Sequence, residues 1–281
     1  MQRTAIRLGG VELGSSIMNA SGPHSAERGE IHELSARHQG ALVFKSCNIT
    51  GLETPENLKN RGVEHFAAIA RELAPSQKVI IGSVVGDAED EIAKVAVVLD
   101  RAGVRIVELN LADDYVMNSV RPFASYDRLK ALVGRVRGEI AAALAIKLPA
   151  RPGALENRAL AEMFKELRVG VAVCANDLPK DLEVDVATGR IKGAARPLSQ
   201  AHAFWRLSEG IFDVVAVGGI NAGRDAYVAH MTGARAVQVG SALIKEGAGA
   251  LDRIDRELDG MLAEQNQRSV AEIIGQARFE G

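Results

Sequence analysis

Val214-Val215-Ala216-Val217-Gly218-Gly219-Ile220-Asn221-Ala222-Gly223-Arg224-Asp225 runs from an apolar stretch into glycines and then into helical sequence. The pattern returns at Ala236-Val237-Gln238-Val239-Gly240-Ser241-Ala242. Short runs rich in Val and Ala, each followed by a helix, read as parallel strands buried on both faces. Glycine lets backbone N–H groups approach a phosphate closely, and a helix start adds a favourable dipole. Either segment alone is equally well explained by a tight turn. Two of them at successive strand ends favour a phosphate site, which in α/β barrels recurs after the seventh and eighth strands.

Working outward, six further segments have the same character: Ser16–Ala20, Ala41–Lys45, Val79–Ser83, Ile106–Asn110, Ala143–Leu148 and Gly170–Cys174. With Asp213–Val217 and Ala236–Val239 they make eight, with starts 23 to 43 residues apart. That spacing leaves room for the crossover helix that parallel strands require. Helix signals sit in the gaps. Ser25 is read as a cap for a helix toward His38, with Gly40 as its end. Asp87 opens 88–102, where Ile92, Val95, Ala96 and Leu99 form an apolar stripe, and Ser199 caps Gln200–Leu207. Leu251, Ile254, Leu258 and Met261 mark a last helix. Eight strand–helix units without a linker predict an α/β fold of (β/α)8 TIM-barrel type, one domain over residues 1–281. A doubly wound open sheet is the structural alternative. Two connections exceed the simplest unit: 48–62, and 175–197 with a half-hairpin at 182–186 completed by Arg190-Ile191-Lys192. In a barrel both follow strand ends, on the face where active sites are built.

Composition narrows the function classes. The 281 residues are 47% hydrophobic and 25% charged with a net charge of −2, which excludes disorder and argues against a broad basic surface for nucleic acid. No apolar run approaches the ~18–20 residues needed to cross a bilayer. Met1-Gln2-Arg3-Thr4 leads into mixed sequence with no signal-peptide core, so a cytoplasmic location is expected. Cys47 and Cys174 give neither a disulfide framework nor metal-ligand spacing, and the six histidines show no metal pattern. Cys47, two residues beyond Lys45, has a neighbour able to favour a thiolate but is the poorer catalytic candidate; Cys174 reads as a buried strand residue. Trp205 reads as helix packing, and His24 as a residue able to face the site.

Six fragments in order carry a resemblance. They are Met18-Asn19-Ala20-Ser21-Gly22, Phe44-Lys45-Ser46, Val107-Glu108-Leu109-Asn110-Leu111, Ile146-Lys147-Leu148-Pro149 and the two glycine segments, with Ser269–Gly275 following the same pattern. Across nearly its whole length the chain resembles the dihydroorotate dehydrogenase family of flavin mononucleotide (FMN) barrels. The resemblance implies FMN as cofactor, a small-molecule substrate and a homodimer. It places Ala20 and Ser21 along the flavin, and Lys45 and Ser46 at the polar edge of the ring. Asn110 and Lys147 would hydrogen-bond the ring and ribityl chain. Gly218, Gly219, Gly240 and Ser241 would hold the phosphate, with Gly193 a further contributor. The two lysines have a blander reading as structural ion pairs.

The substrate side departs from that pattern. The family carries a cysteine or serine base in a Ser-Cys-Pro-Asn-like stretch after the fourth strand. Here the stretch is Ala112-Asp113-Asp114-Tyr115, with Asp113 at the base position and Tyr115 where a substrate-binding asparagine is expected. Asn48 lies in the remnant of a shortened loop, and Asn176 preserves an amide ligand. Asp113 reads as a general base, a partner for a cationic substrate group, or a solvated loop carboxylate. The leading reading is an FMN-dependent oxidoreductase with catalytic Asp113 and Lys45, substrate contacts from Asn48, Tyr115 and Asn176, and a substrate other than dihydroorotate. The alternatives are a non-redox phosphate-binding barrel, a lyase or isomerase, and a non-catalytic flavin-binding protein.

Overall fold

The computed structural model describes residues 2–22, 24–53, 59–150, 157–176, 183–185, 188, 190–192 and 199–279. An antiparallel hairpin of β1 (Ile6–Leu8) and β2 (Val11–Leu13) comes first. The chain then runs through β3 (Ile17–Asn19), α1 (Arg28–Arg37), β4 (Leu42–Val43), α2 (Val63–Leu73), β5 (Ile80–Val84), α3 (Glu89–Arg101) and β6 (Ile106–Asn110). It continues with α4 (Asp114–Ser119), α5 (Tyr126–Glu139), β7 (Ala143–Lys147), α6 (Asn157–Glu166) and β8 (Val171–Ala175). Two small strands, β9 (Glu183–Val184) and β10 (Arg190–Lys192), precede α7 (Gln200–Ser208), β11 (Asp213–Val217), α8 (Gly223–Met231) and β12 (Ala236–Val239). Helices α9 (Ser241–Glu246) and α10 (Gly249–Glu264) and strand β13 (Arg278–Phe279) complete the described chain.

Eight strands form one sheet in the order β3-β12-β11-β8-β7-β6-β5-β4, and every bonded neighbour pair is parallel. The two ends of that order meet through a side chain. Asn19 Nδ2 donates to the Val43 carbonyl at 2.6 Å, and Asn19 Oδ1 accepts from the Val43 amide at 2.9 Å. A carboxamide has the same donor and acceptor as a peptide group, so this pair does the work of a ladder rung between β3 and β4. The fold is a (β/α)8 TIM barrel, as the sequence predicts. The half-hairpin in the long connection is present as β9 against β10, and β13 pairs with β10 in parallel.

The core follows the sequence periodicity. Ile92, Val95, Ala96 and Leu99 of α3 are all buried against the sheet. A fully buried Ile or Leu of this kind contributes roughly 1.5–3 kcal/mol relative to exposure. On α10 the buried stripe is Leu251, Ile254, Leu258 and Leu262, one residue beyond the expected Met261. Trp205 is a packing residue: a Cβ at Gly233 or Gly275 would fall 2.1 or 2.0 Å from its indole ring. Gly40 is needed because a Cβ there would stand 1.9 Å from the Ile17 carbonyl oxygen.

Two helix starts differ from the sequence reading. Glu27, not Ser25, caps α1, and its amide donates to the Glu30 carboxylate at 3.1 Å. Ser25 is held elsewhere: its hydroxyl donates to the Gly22 carbonyl, and its own carbonyl accepts the Lys45 amide. Ala88 caps α3, while the Asp87 amide donates to Glu91. Ser199 caps α7 as expected, accepting the His202 amide.

His230, fully buried on α8, ties the barrel wall together. Its Nδ1 lies 2.8 Å from the Ala234 carbonyl oxygen and must donate, so Nε2 accepts from the Ser16 hydroxyl at 3.0 Å. Burial pushes the ring down to about 4 from the ordinary 6.5.

Two expectations follow from these contacts. Asn19→Ala strands the Val43 amide and carbonyl and should lower unfolding free energy in urea by about 2–6 kcal/mol, at ~1–3 kcal/mol per unsatisfied buried group. For His230, the unfolded chain takes up a proton near pH 6.5 and the folded chain only near pH 4. The stability contributed by the neutral ring is therefore complete above pH 6.5 and is lost as pH falls through that window, up to roughly 3 kcal/mol. Urea titrations across pH 4–7 should show a steeper loss in wild type than in His230→Gln.

Candidate functional site

The strand register brings the polar residues to one end of the barrel. Asn110 stands opposite Lys147 across β6 and β7, and each is the last residue of its strand. Lys45 and Ser46 follow β4, and Ser21 follows β3. These six positions of the chain, with Asp113 in the turn before α4 completing the set, open onto one cavity of about 500 Å³: Ser21, Lys45, Ser46, Asn110, Asp113 and Lys147. Gly22, Val85, Ala112 and the exposed Ile244 line the remainder.

Charge and hydrogen bonding within the cavity are ordered. Lys147 Nζ donates to Ser21 Oγ at 3.0 Å. Burial holds the Lys45 ammonium below the usual lysine range; the Asp113 charge opposes that shift and the Lys147 charge adds to it. Asn110 Nδ2 donates to Ser46 Oγ at 2.9 Å, whereas its Oδ1 is buried and has no partner among the described residues. Asn176, just beyond β8, likewise leaves Oδ1 buried and unpartnered, and its Nδ2 reaches the Gly218 carbonyl at 3.5 Å.

The glycine ends lie on the same face. Gly218 and Gly219 have φ of +96° and +74°, and a Cβ on Gly219 would press to 3.3 Å from the Asn176 carbonyl oxygen. Gly240 sits beside Ala20, whose Cβ would lie 3.8 Å from a Cβ placed there. None of the hydrogen bonds among the described residues uses the amides of Gly218, Gly219, Gly240 or Ser241. The start of α8 is different: the Asn221 and Ala222 amides donate to Asp225, and the Gly223 amide donates to Glu257. The free donors of this region are therefore the glycine turns, not that helix end.

Asn48 uses its Oδ1 to accept the Gly51 amide at 2.9 Å, within the loop. Tyr115 lies in α4. Gly193 lies outside the described residues. Cys47 is the poor catalytic candidate expected: the thiol is buried 3.6 Å from the Ser83 carbonyl, and burial, outweighing any pull of Lys45 toward a thiolate, pushes its pKa up. Cys174 is buried, as expected of a strand residue.

Several residues at the site escaped the sequence reading. Ser83, Glu108 and Gln238 form a buried polar chain beneath Ser46. Their one sequence signal is polarity inside apolar strands, as in Val107-Glu108-Leu109 and Val237-Gln238-Val239. Lys59, Asn60 and Arg61 return from the long connection to line a side lobe of about 310 Å³ that shares Gly22 and Lys45 with the main cavity. A further concavity of about 580 Å³, lined in part by Arg105, Arg137 and Arg168, lies under the β1–β2 hairpin at the opposite end and holds none of the expected residues. Among the described residues no group of three or more His, Cys, Asp or Glu is placed to hold a metal, and no helix is long and apolar enough to cross a membrane.

The sequence profile of the dihydroorotate dehydrogenase family matches residues 48–262. The chain belongs to that family. A protein of Streptococcus equi subsp. equi, provisionally named dihydroorotate dehydrogenase A (fumarate), is 25% identical over 100% of both chains. A Streptococcus pneumoniae protein with a similarly provisional name is 24% identical over 99% of each. The ligand-free dihydroorotate dehydrogenase of Eimeria tenella superimposes with a TM-score of 0.80 at 16% identity, covering 98% of this chain and 92% of that one. The same enzyme in complex with ferulenol gives 0.76 at 15% identity. At those identities the likeness to the solved structures establishes the shared barrel.

The charge arrangement is testable without any ligand. In a 13C-lysine NMR titration, Lys45 should titrate below the ordinary lysines. Asp113→Asn should lower its midpoint further, and Lys147→Met should raise it.

Proposed function

We propose that residues 1–281 form one FMN-binding unit that oxidises or reduces a small organic substrate, and that this substrate is not dihydroorotate. The observation that carries the flavin reading is the single cavity joining Lys45, Asn110 and Lys147, with the Asn110 Oδ1 acceptor buried and unpartnered. A buried polar atom without a partner is costly unless a ligand supplies one. The donor set suits the group: four unengaged glycine-turn amides for a phosphate, and two ammonium groups and an amide oxygen for a polar ring. Bound FMN supplies hydride transfer to or from the substrate.

The chain's own residues have separable roles. Gly218, Gly219, Gly240 and Ser241 hold the phosphate, Ala20 and Ser21 flank the ring, and Ser46, Asn110 and Lys147 fix its polar edge. Lys45 keeps a positive charge at the cavity wall, where it stabilises negative charge on the ring. Asp113 faces the same cavity and takes the substrate proton on its carboxylate. The relatives at 24–25% identity are named for dihydroorotate oxidation. The stretch Ala112-Asp113-Asp114-Tyr115 replaces both the base type and an amide ligand of the family pattern, and the loop holding Asn48 is shortened. A pocket that hydrogen-bonds one substrate discriminates strongly when those partners change.

Purified protein should be yellow and release one equivalent of FMN on denaturation. Gly219→Val and Gly240→Val should lower that occupancy, and full occupancy in both would remove the phosphate assignment. Colourless protein that binds only phosphorylated substrates would favour the non-redox barrel. Asp113→Asn should retain flavin yet slow flavin reduction by the true substrate by about 10²–10⁴-fold, the usual range for a positioned base. Dihydroorotate turnover by wild type at ~1–10³ s⁻¹, the range of ordinary enzymes, would overturn the substrate assignment.

A further inference from the structure

Five polar side chains run through the barrel interior beneath the cavity. Asn110 Nδ2 donates to Ser46 Oγ at 2.9 Å, and Ser46 Oγ lies 2.9 Å from Ser83 Oγ. Ser83 Oγ donates to Glu108 Oε1 at 3.0 Å, and Gln238 Nε2 donates to Glu108 Oε2 at 2.8 Å. All five residues are at most 5% exposed, and Glu108 is fully buried. We infer that Glu108 sets the donor direction of this chain and thereby holds the Asn110 amide with its oxygen toward the cavity, as the acceptor for the ring N–H of the bound flavin.

The direction follows from counting hydrogens. The geometry has Ser83 Oγ donating to Glu108 Oε1, which spends the single hydroxyl hydrogen of Ser83. The Ser83 oxygen then needs a donor, and Ser46 supplies its own hydrogen. The Ser46 oxygen in turn needs a donor, and only the NH2 side of the Asn110 amide provides one. Turning that amide over would set Oδ1 against Ser46 Oγ at 2.9 Å with no hydrogen between two buried acceptors. The orientation thus comes from the chemistry of the chain as a whole. The atom left over is Asn110 Oδ1, buried and unpartnered on a cavity-lining residue. The oxidised flavin ring carries one N–H, at N3 of its imide, and that is the ring group an amide oxygen can accept from. Glu108 touches neither flavin nor substrate, so it is a positioning residue. This inference rests on the flavin reading above.

The test is the exchange rate of the flavin N3 proton with water, read by NMR on the full-length holoprotein loaded with 15N-labelled FMN. In wild type that exchange should be slow. Ser83→Ala, which removes one oxygen from the chain, and Glu108→Leu should accelerate it by about tenfold, the ratio one ordinary hydrogen bond sustains. Glu108→Gln should stay near the wild-type rate: its oxygen can accept from Ser83, and the Gln238 amide turns over so that its Oε1, unpartnered in wild type, accepts from the new NH2. A role confined to packing would lower the melting temperature of these variants and leave the exchange rate unchanged. Equal rates in wild type, Ser83→Ala and Glu108→Leu would overturn the inference, and Ser83→Ala alone decides it should Glu108→Leu fail to fold. Wild-type protein that retains no FMN would instead overturn the flavin reading itself.

Discussion

The barrel closes on one carboxamide. Strand β4 is two residues long, and the backbones of β3 and β4 form no ladder of their own. Asn19 gives Val43 both the acceptor and the donor that a neighbouring strand would have given. The seam matters to the site because the residues that follow it on either side are Ala20-Ser21-Gly22 and Phe44-Lys45-Ser46. Ser21 and Lys45, 24 positions apart in the chain, share a cavity because this amide holds the two strand ends together.

Within that frame the polar groups are divided by depth. At the bottom a carboxylate, two hydroxyls and the NH2 groups of two amides bond in one chain, in a space that barrels usually fill with aliphatic side chains. Buried polar groups cost little when paired and much when not. Nearer the mouth stand two ammonium groups and the Asp113 carboxylate. Burial disfavours the Lys45 charge and Asp113 restores part of it, so the cavity is balanced without being neutralised. Two of the buried atoms without partners among the described residues, Asn110 Oδ1 and Asn176 Oδ1, lie near where a ligand has most to gain.

The long connection after β4 also contributes. It carries Asn48 inward as a turn residue, Oδ1 on the Gly51 amide, and delivers Lys59, Asn60 and Arg61 to the lobe beside Lys45. Arg61 is already tied to Glu27 at 3.0 Å, which also fixes the start of α1. The loop and the first helix are thereby braced against each other at the rim.

The sequence by itself determined the eight strands, to within a residue or two, because a strand buried on both faces must be apolar throughout and a parallel crossover must carry a helix. It also singled out Lys45, Asn110 and Lys147, through the family resemblance of the fragments that carry them; the two lysines also end apolar strands, which places them on one face of any barrel. The start of α1 was not legible. Ser25 has the right chemistry for a cap, but the Lys45 amide and the Gly22 carbonyl engage it instead. Nor was the burial of Cys47: proximity to Lys45 in the chain left a thiolate open, whereas the fold turned the sulfur into the core. The partnership of Glu108 with Gln238, 130 positions away, and the seam at Asn19 exist only in three dimensions. A strand's composition reports how much of it is buried. Which polar atom meets which is decided by register and closure, and those belong to the whole barrel.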